Sequence, residues 1–378
     1  MVRVLAQFRP GCLCALTAIA GLVGGCGGSS GGGDASRGAA AANADCMAAA
    51  KRNVKAAMAP MRLAPLEPFD ASALKGKKFA IVQLSAKSAI STANAKGFKD
   101  ALATVGATSV KYDGKGTPDL LAQGFQSAIG QGVAGIIADG FDPALVKTAV
   151  AAAKAANIPV VNVGANAPDA PLMDGVVANI AADGKFVGTI QADYALADTN
   201  CDLHAATFFV SAGPLTVAMA EGAEAEIKRL CPSCKLDAVD VNAATYSTTM
   251  VGQVRTTLQR APDMNYLITT TDFFVPYLQQ GSKAVGREVP FIGGAQGDGL
   301  AAAIEGNGVK AGILWPPGEL TGWYYADAIM RAASGSVKSM KLPVRLVDAS
   351  TWGTSADERT QFPELAGYQD TFKRVWGL

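Results

Sequence analysis

Histidine is almost missing from this sequence: of 378 residues, only His204 is one. A zinc site built on imidazoles and a serine–histidine–acid triad are therefore not expected. A surplus of charge of one sign is missing too. Lysine and arginine number 33 against 32 aspartates and glutamates, so the net charge is +1 and no bulk positive field exists to hold nucleic acid. Beyond the first 26 residues no apolar run is long enough to span a bilayer. Phosphate-binding glycines are missing where they would matter. The turn after the first predicted strand reads Leu84-Ser85-Ala86-Lys87, no G-x-x-x-x-G-K-[ST] occurs, and no G-x-S-x-G sits on a strand-to-helix turn. Dinucleotide, P-loop and hydrolase chemistry are not expected, so no enzyme, no cofactor and no metal is anticipated.

What is present centres on residues 132–165, GVAGIIADGFDPALVKTAVAAAKAANIPVVNVGA. Residues 133–138 form a short apolar run rich in branched side chains, as a strand buried on both faces requires. Asp142 is placed to cap the next helix, with Pro143 at its first position. Leu145, Val146, Ala149, Val150 and Ala153 recur on one helical face, Asn157 suits the left-handed stop, and residues 158–163 return as a second strand. This is one βαβ unit with parallel strands and a right-handed crossover. The loops after Ala138 and Val163 leave the sheet edge on which open α/β sheets bind ligands.

The N-terminus reads as an export signal: Arg3 and Arg9 precede a short apolar stretch over residues 11–25. It ends in Leu22-Val23-Gly24-Gly25-Cys26, which resembles the bacterial lipobox, so residues 1–26 are expected to be a lipoprotein signal peptide with Cys26 lipidated. A plain secretory signal is the simpler alternative. Of seven cysteines, Cys12 and Cys14 leave with the signal, and Cys46, Cys201, Cys231 and Cys234 remain after Cys26. An even set in an exported chain reads as disulfides, with three possible connectivities. Cys231–Cys234 with Cys46–Cys201 is preferred, because the Cys-Pro-Ser-Cys turn brings its own sulfurs close. Cys201 with Cys231 or Cys234 is the alternative.

Residues 27–44 are a Gly/Ser/Ala tether, residues 45–58 a short helix, and Pro60, Pro65 and Pro68 keep the chain extended to about residue 69. Predicted strands at 79–84, 109–112, 133–138, 158–163 and 175–180 alternate with helices. The pattern then repeats, with strands at 205–210, 236–241, 266–270, 289–292 and 309–314, a helix over 299–305, a last helix over 319–332 and an extended segment at 344–347. The fold class is α/β: two doubly wound parallel-sheet lobes of similar size, with no strict sequence repeat evident.

The ordered motifs Gly132-Val133-Ala134-Gly135-Ile136-Ile137, Asp142-Pro143, Ala155-Ala156-Asn157-Ile158-Pro159-Val160-Val161, Ala181-Ala182-Asp183 and Ala261-Pro262-Asp263-Met264-Asn265-Tyr266 resemble the periplasmic binding protein type I, sugar-binding (ribose-like) family. Phe69-Asp70-Ala71-Ser72 and the Cys231–Cys234 turn are similar to an actinobacterial lipoprotein branch of it. The resemblance covers roughly residues 69–340. It implies two Rossmann-like lobes joined by a three-crossing hinge, with a small ligand clamped between them and delivered to ABC permease subunits. The crossings implied lie at 182–184, 314–317 and 347–350. Lobe 1 would comprise 71–183 plus 316–346, and lobe 2 would comprise 184–315 plus 347–378, after a linker and helix over 27–70.

The site residues depart from the family pattern. Gly164-Ala165 stands where relatives often place an Asp-Arg pair, Val217 and Met219 where an Arg is frequent, Thr271-Asp272 where Asn-Asp is common, Gly293-Gly294-Ala295-Gln296 where Gly-Phe-Asp follows, and Trp315 where a Gln is usual. Candidate ligand contacts are Ser85, Ser88, Phe141, Asn166, Asp183, Tyr246, Asp272, Phe273, Gln296 and Trp315. Each has a structural reading beside the functional one. Trp315 before two prolines could stiffen a hinge, Asp183 and Asp272 could cap helices, Tyr246 could be a solvated loop residue, and only one of Phe273 and Phe274 can face the cleft. The thinning of bidentate partners points to a ligand with an apolar or aromatic face, a sugar being the family default. The resulting expectation is an extracytoplasmic, lipid-anchored solute-binding protein, monomeric and without a nucleic-acid partner. A signalling receptor without transport and an exported α/β enzyme are the alternatives.

Overall fold

The runs of branched residues become two six-stranded sheets. The computed structural model describes residues 32–243, 245–294, 304, 306, 308–352 and 365–378, with side chains from residue 41 onward. Two units divide the chain, Met1–Ala41 and Ala42–Leu378. The first holds the opening turns of α1 (Gly32–Ala57), which continues into the second. Both sheets and every later helix belong to the second.

The first sheet contains β1 (Lys78–Gln83), β2 (Thr108–Asp113), β3 (Ile136–Asp139), β4 (Val160–Val163), β5 (Val176–Ala181) and β11 (Met340–Lys341). Their order is β2-β1-β3-β4-β5-β11, all parallel. The second contains β6 (His204–Phe209), β7 (Lys235–Asp240), β8 (Tyr266–Thr269), β9 (Phe291–Ile292), β10 (Ala311–Leu314) and β12 (Arg345–Asp348). Its order, β7-β6-β8-β9-β10-β12, repeats the first, except that β12 runs antiparallel to β10. Interior strands β3, β4, β8 and β10 are buried at every position, because helices cover both faces; edge strands β2 and β7 have no fully buried position.

The expected βαβ unit is present with one refinement. Asp142 accepts from the Ala144 amide at 3.0 Å and caps a 3₁₀ turn, Pro143–Val146, and α4 (Lys147–Ala155) follows it. Asn157 is left-handed at φ +57°. The predicted helix over 299–305 lies almost wholly outside the described residues.

Two helix pairs set the lobes' inner packing: α2 (Ala89–Thr104) with α9 (Gly318–Ala333), and α5 (Gly184–Asp198) with α6 (Pro214–Leu230). Between α2 and β11 the first lobe also carries α3 (Pro118–Gly130), and the second carries α7 (Tyr246–Arg260) and α8 (Val275–Lys283). A Cβ on Gly188 would lie 1.8 Å from the Met219 carbonyl oxygen, and one on Gly97 would lie 2.0 Å from that of Glu319. Only glycine permits these backbones to come so close. The duplication does leave a sequence trace here: Gly184, Gly188, Ala192 and Asp193 on α5 recur with identical spacing as Gly318, Gly322, Ala326 and Asp327 on α9.

Chain crossings between the lobes fall at 182–183, between β5 and α5, and at 315–317, between β10 and α9. The third falls at 342–344 rather than 347–350, because β12 already pairs in the second sheet from Arg345. The closing segment also differs from its expected place. β12 belongs to the second sheet, but α10 (Tyr368–Val375) packs on α9 of the first lobe, where Trp376 stacks on Trp323 at 5.3 Å and both are buried. Phe372 and Trp376 find an aromatic partner surface there, supplied by Trp323 and Tyr324.

Candidate functional site

Two of the crossings start at the carboxyl ends of strands, β5 and β10, and deliver α5 and α9 to the opposite lobe. Each arriving helix then holds strand ends together. Gln191 of α5 donates through Nε2 to the carbonyls of Thr269 (2.8 Å) and Gly293 (2.9 Å), at the carboxyl ends of β8 and β9. Tyr325 of α9 donates its hydroxyl to Asp139 Oδ1 (3.4 Å) at the end of β3, and Gln83 at the end of β1 donates to Asp139 Oδ2 (2.8 Å). The carboxyl edges of both sheets therefore meet the hinge, and the loops leaving them line the ground between the lobes.

On the first-lobe edge, Ser88 caps α2, its hydroxyl accepting from the Ser91 amide at 3.2 Å, and Ser85 accepts from the Lys87 amide at 3.3 Å. Both serines are occupied by local turn geometry. Phe141 does not face the cleft. It is 3% exposed and meets Phe125 edge-on at 6.5 Å, because the turn after β3 folds its ring back over α3. Asn166 is half-buried and donates to Asp142 Oδ1 at 3.4 Å, joining the loops after β3 and β4. Gly164, at φ +72°, gives that loop its sharp exit. Asp183 caps α5 through the Phe186 amide and pairs with Lys341 Nζ at 2.6 Å. Burial opposes its ionisation, but Lys341 and the helix-start amides outweigh this and hold the carboxyl below the usual range.

On the second-lobe edge, Phe274 is core and Phe273 is 51% exposed, so Phe273 is the ring available to a ligand. Tyr246 opens α7 and packs on Phe274 (5.4 Å) and Tyr277 (5.6 Å). Asp272 is buried in the turn after β8. Trp315 is half-buried against the second lobe's core, and its indole N–H is buried without a hydrogen-bond partner among the described residues. Met219 is fully buried against α5 and contributes nothing to the edge. Gln296 and Cys26 lie outside the described residues.

Sequence reasoning passed over the most organised group, Gln83, Asp139 and Tyr325. Gln83 and Asp139 are buried, and burial pushes the Asp139 carboxyl up to about 6, against the opposing pull of the hydrogen bonds from Gln83 and Tyr325. The signal was present: Gln83 and Asp139 each end an apolar strand run with a polar residue. A second buried carboxyl, Asp193 on α5, is raised by burial, with Glu226 adding to this and Asn53 opposing it. Among the described residues no three His, Cys, Asp or Glu side chains converge as metal ligands. The disulfides pair as preferred, Cys46–Cys201 and Cys231–Cys234.

No curated protein matches the chain by sequence comparison. Solved structures do resemble its fold. The glucose-galactose binding protein GanP of Geobacillus stearothermophilus is similar at 16% identity and a TM-score of 0.63, covering 73% of this chain and 98% of its own. An ABC transporter solute binding protein from Mycobacterium smegmatis with bound glycerol is similar at 21% identity and a TM-score of 0.62, over 74% of this chain and 98% of its own. One from Bacillus halodurans with bound myo-inositol is similar at 14% identity and a TM-score of 0.63, over 76% and 98%. The family model described as periplasmic binding protein domain matches residues 79–336, from β1 through α9, and with two equivalent lobes joined at their strand ends the chain belongs to that family.

Proposed function

We propose that this chain is the extracytoplasmic solute-binding component of an ABC importer, clamping a small molecule between its lobes and presenting the closed form to permease subunits. The observation that carries this reading is the convergence of both carboxyl strand edges on the crossings, within a family of solute-binding proteins. Export and anchoring through a lipidated Cys26 belong to the same reading, as does a monomeric state. A receptor that reports ligand without transport shares every feature used here.

For the ligand, two apolar surfaces among the described residues are the exposed ring of Phe273 and the half-buried indole of Trp315, whose N–H lacks a partner among the described residues. Relatives of this fold hold sugars and polyols such as α-D-tagatopyranose and allitol. Here the first-lobe edge offers amides and serines already committed to turns, and no arginine lies among the described loops between Ser85 and Asp183. The ligand we propose is a small neutral molecule with an apolar or aromatic face, packed on Trp315 and Phe273, and few polar groups; a simple sugar is the competing reading. A thermal-shift screen of monosaccharides, polyols and aromatic metabolites tests it. Stabilisation by an aromatic-faced compound that disappears in Trp315→Ala supports the proposal. Tight stabilisation by a hexose or pentose that survives both Trp315→Ala and Phe273→Ala overturns it.

A further inference from the structure

The N-terminal segment precedes the first lobe in sequence, yet its helix sits on the second. From Ala42 onward α1 is held there by the Cys46–Cys201 disulfide, by the fully buried Ala50, and by Asn53, which donates to Asp193 Oδ1 of α5 at 3.2 Å. A further hold on that lobe is the Met58 carbonyl, which accepts from Arg345 Nε of β12 at 3.2 Å. The chain then crosses. The Ala64 amide donates to the Tyr324 hydroxyl of α9 at 2.8 Å, the Glu67 carbonyl accepts from Arg331, and Arg331 lies 4.5 Å over the Phe69 ring. The Phe69 and Ala71 amides bond the carbonyls of Val375 and Trp376.

We propose that this segment is a strap, a further connection between the lobes that limits how far the cleft opens, with the Cys46–Cys201 disulfide as its fixed end. The inference rests on the two-lobed fold and not on the identity of the ligand. The reach of the strap follows from chain geometry. Six residue steps separate Met58 from Ala64, so even fully extended they span at most about 21 Å. Pro60 within this stretch and Pro65 just beyond it remove backbone freedom, and no helix or turn stores slack beyond Pro60. Opening that carries these two anchor points further apart must tear a hold on one lobe. On the second lobe the covalent bond prevents α1 from peeling away. On the first lobe the hold is the buried Asp327–Arg331 pair, whose Arg331 grips the strap from beneath. The C-terminal arm also holds both lobes: β12 belongs to the second sheet, and α10 docks on the first lobe, where Trp376 Nε1 donates to Asp327 at 2.8 Å.

Double electron–electron resonance on the full chain tests this without any ligand. Nitroxide-bearing non-natural residues are placed at the exposed positions Asp119 and Ser247, in the first turns of α3 and α7, one on each lobe. Two variants are compared with the parent. One inserts six Gly/Ser residues between Arg62 and Leu63, which lengthens the strap and leaves both anchors intact. The other, Cys46→Ser with Cys201→Ser, frees the covalent end. The expected result is a narrow distance distribution for the parent and an added, longer-distance population in both variants. An insertion variant whose distribution superimposes on the parent's overturns the proposal, whether the cysteine variant widens, stays narrow or unfolds.

Discussion

Asp193 and Asp327 occupy the same position on two different helices, each directly after an alanine and five residues beyond a glycine packed on a partner helix's backbone. Both are buried, and each receives a terminal segment. Asp193 accepts from Asn53 of α1, and Asp327 accepts from Trp376 at the end of α10 while pairing with Arg331. The helices that carry the hinge crossings thus use one template twice. A glycine face turns to the neighbouring helix of the lobe, and an aspartate turns to the arm that arrives from elsewhere in the chain.

The glycine face predicts a sharp contrast. Gly188→Ala would place a methyl 1.8 Å from the Met219 carbonyl oxygen, a backbone atom that cannot yield without moving α6. The expected loss is about 3 kcal/mol or more. At Gly252, in the middle of α7, a methyl would find nothing within 4 Å. Gly252→Ala should stabilise by about 0.5–1 kcal/mol, because alanine favours the helix and restricts the unfolded chain. Urea unfolding followed by circular dichroism reads both; equal effects would refute the packing argument.

The aspartate side predicts a second contrast. Asp327 is 0% exposed and Arg331 only 8%, so Arg331→Met strands a buried carboxylate. A loss of about 3–5 kcal/mol is expected. Lys96 pairs with Asp100 and Glu319 at the solvent surface, and Lys96→Ala should cost less than about 1 kcal/mol. The same unfolding titration, repeated at high salt, should narrow only the Lys96 difference.

Asp139 predicts a dependence on pH. Its folded-state pKa, about 6, lies above the ordinary 3.8, so the native state holds the proton more tightly than the unfolded chain. Its contribution is complete at low pH, falls as pH rises from about 4 to about 6, and stays lost above that. The gap corresponds to about 3 kcal/mol. Asp139→Asn removes the titration, so the variant's stability relative to the parent should improve by up to that amount between pH 4 and pH 7. A stability difference that is flat across that interval would contradict the assignment.

The alternation of strands and helices, the stop at Asn157, the cap at Asp142 and the two-lobed class were all legible in the sequence. Each is set by local chemistry or by apolar periodicity along a few turns of chain. The pairing of Cys231 with Cys234 was legible for the same reason, being closed by a four-residue turn. Other features depended on partners far away in the chain. Phe141 and Phe273 both follow a strand end, and only the packing over α3 turned one inward while the other stayed exposed. Asp139 looked like any polar residue ending a strand until Gln83 and Tyr325, 56 and 186 residues distant, closed on it. Two doubly wound lobes could be read from the apolar periodicity of the chain, because each strand and helix is set by its own few turns of sequence. Tertiary structure alone decided that each terminal arm docks on the lobe it does not adjoin, because that choice depends on which distant helix presents a buried aspartate and an apolar surface to receive it.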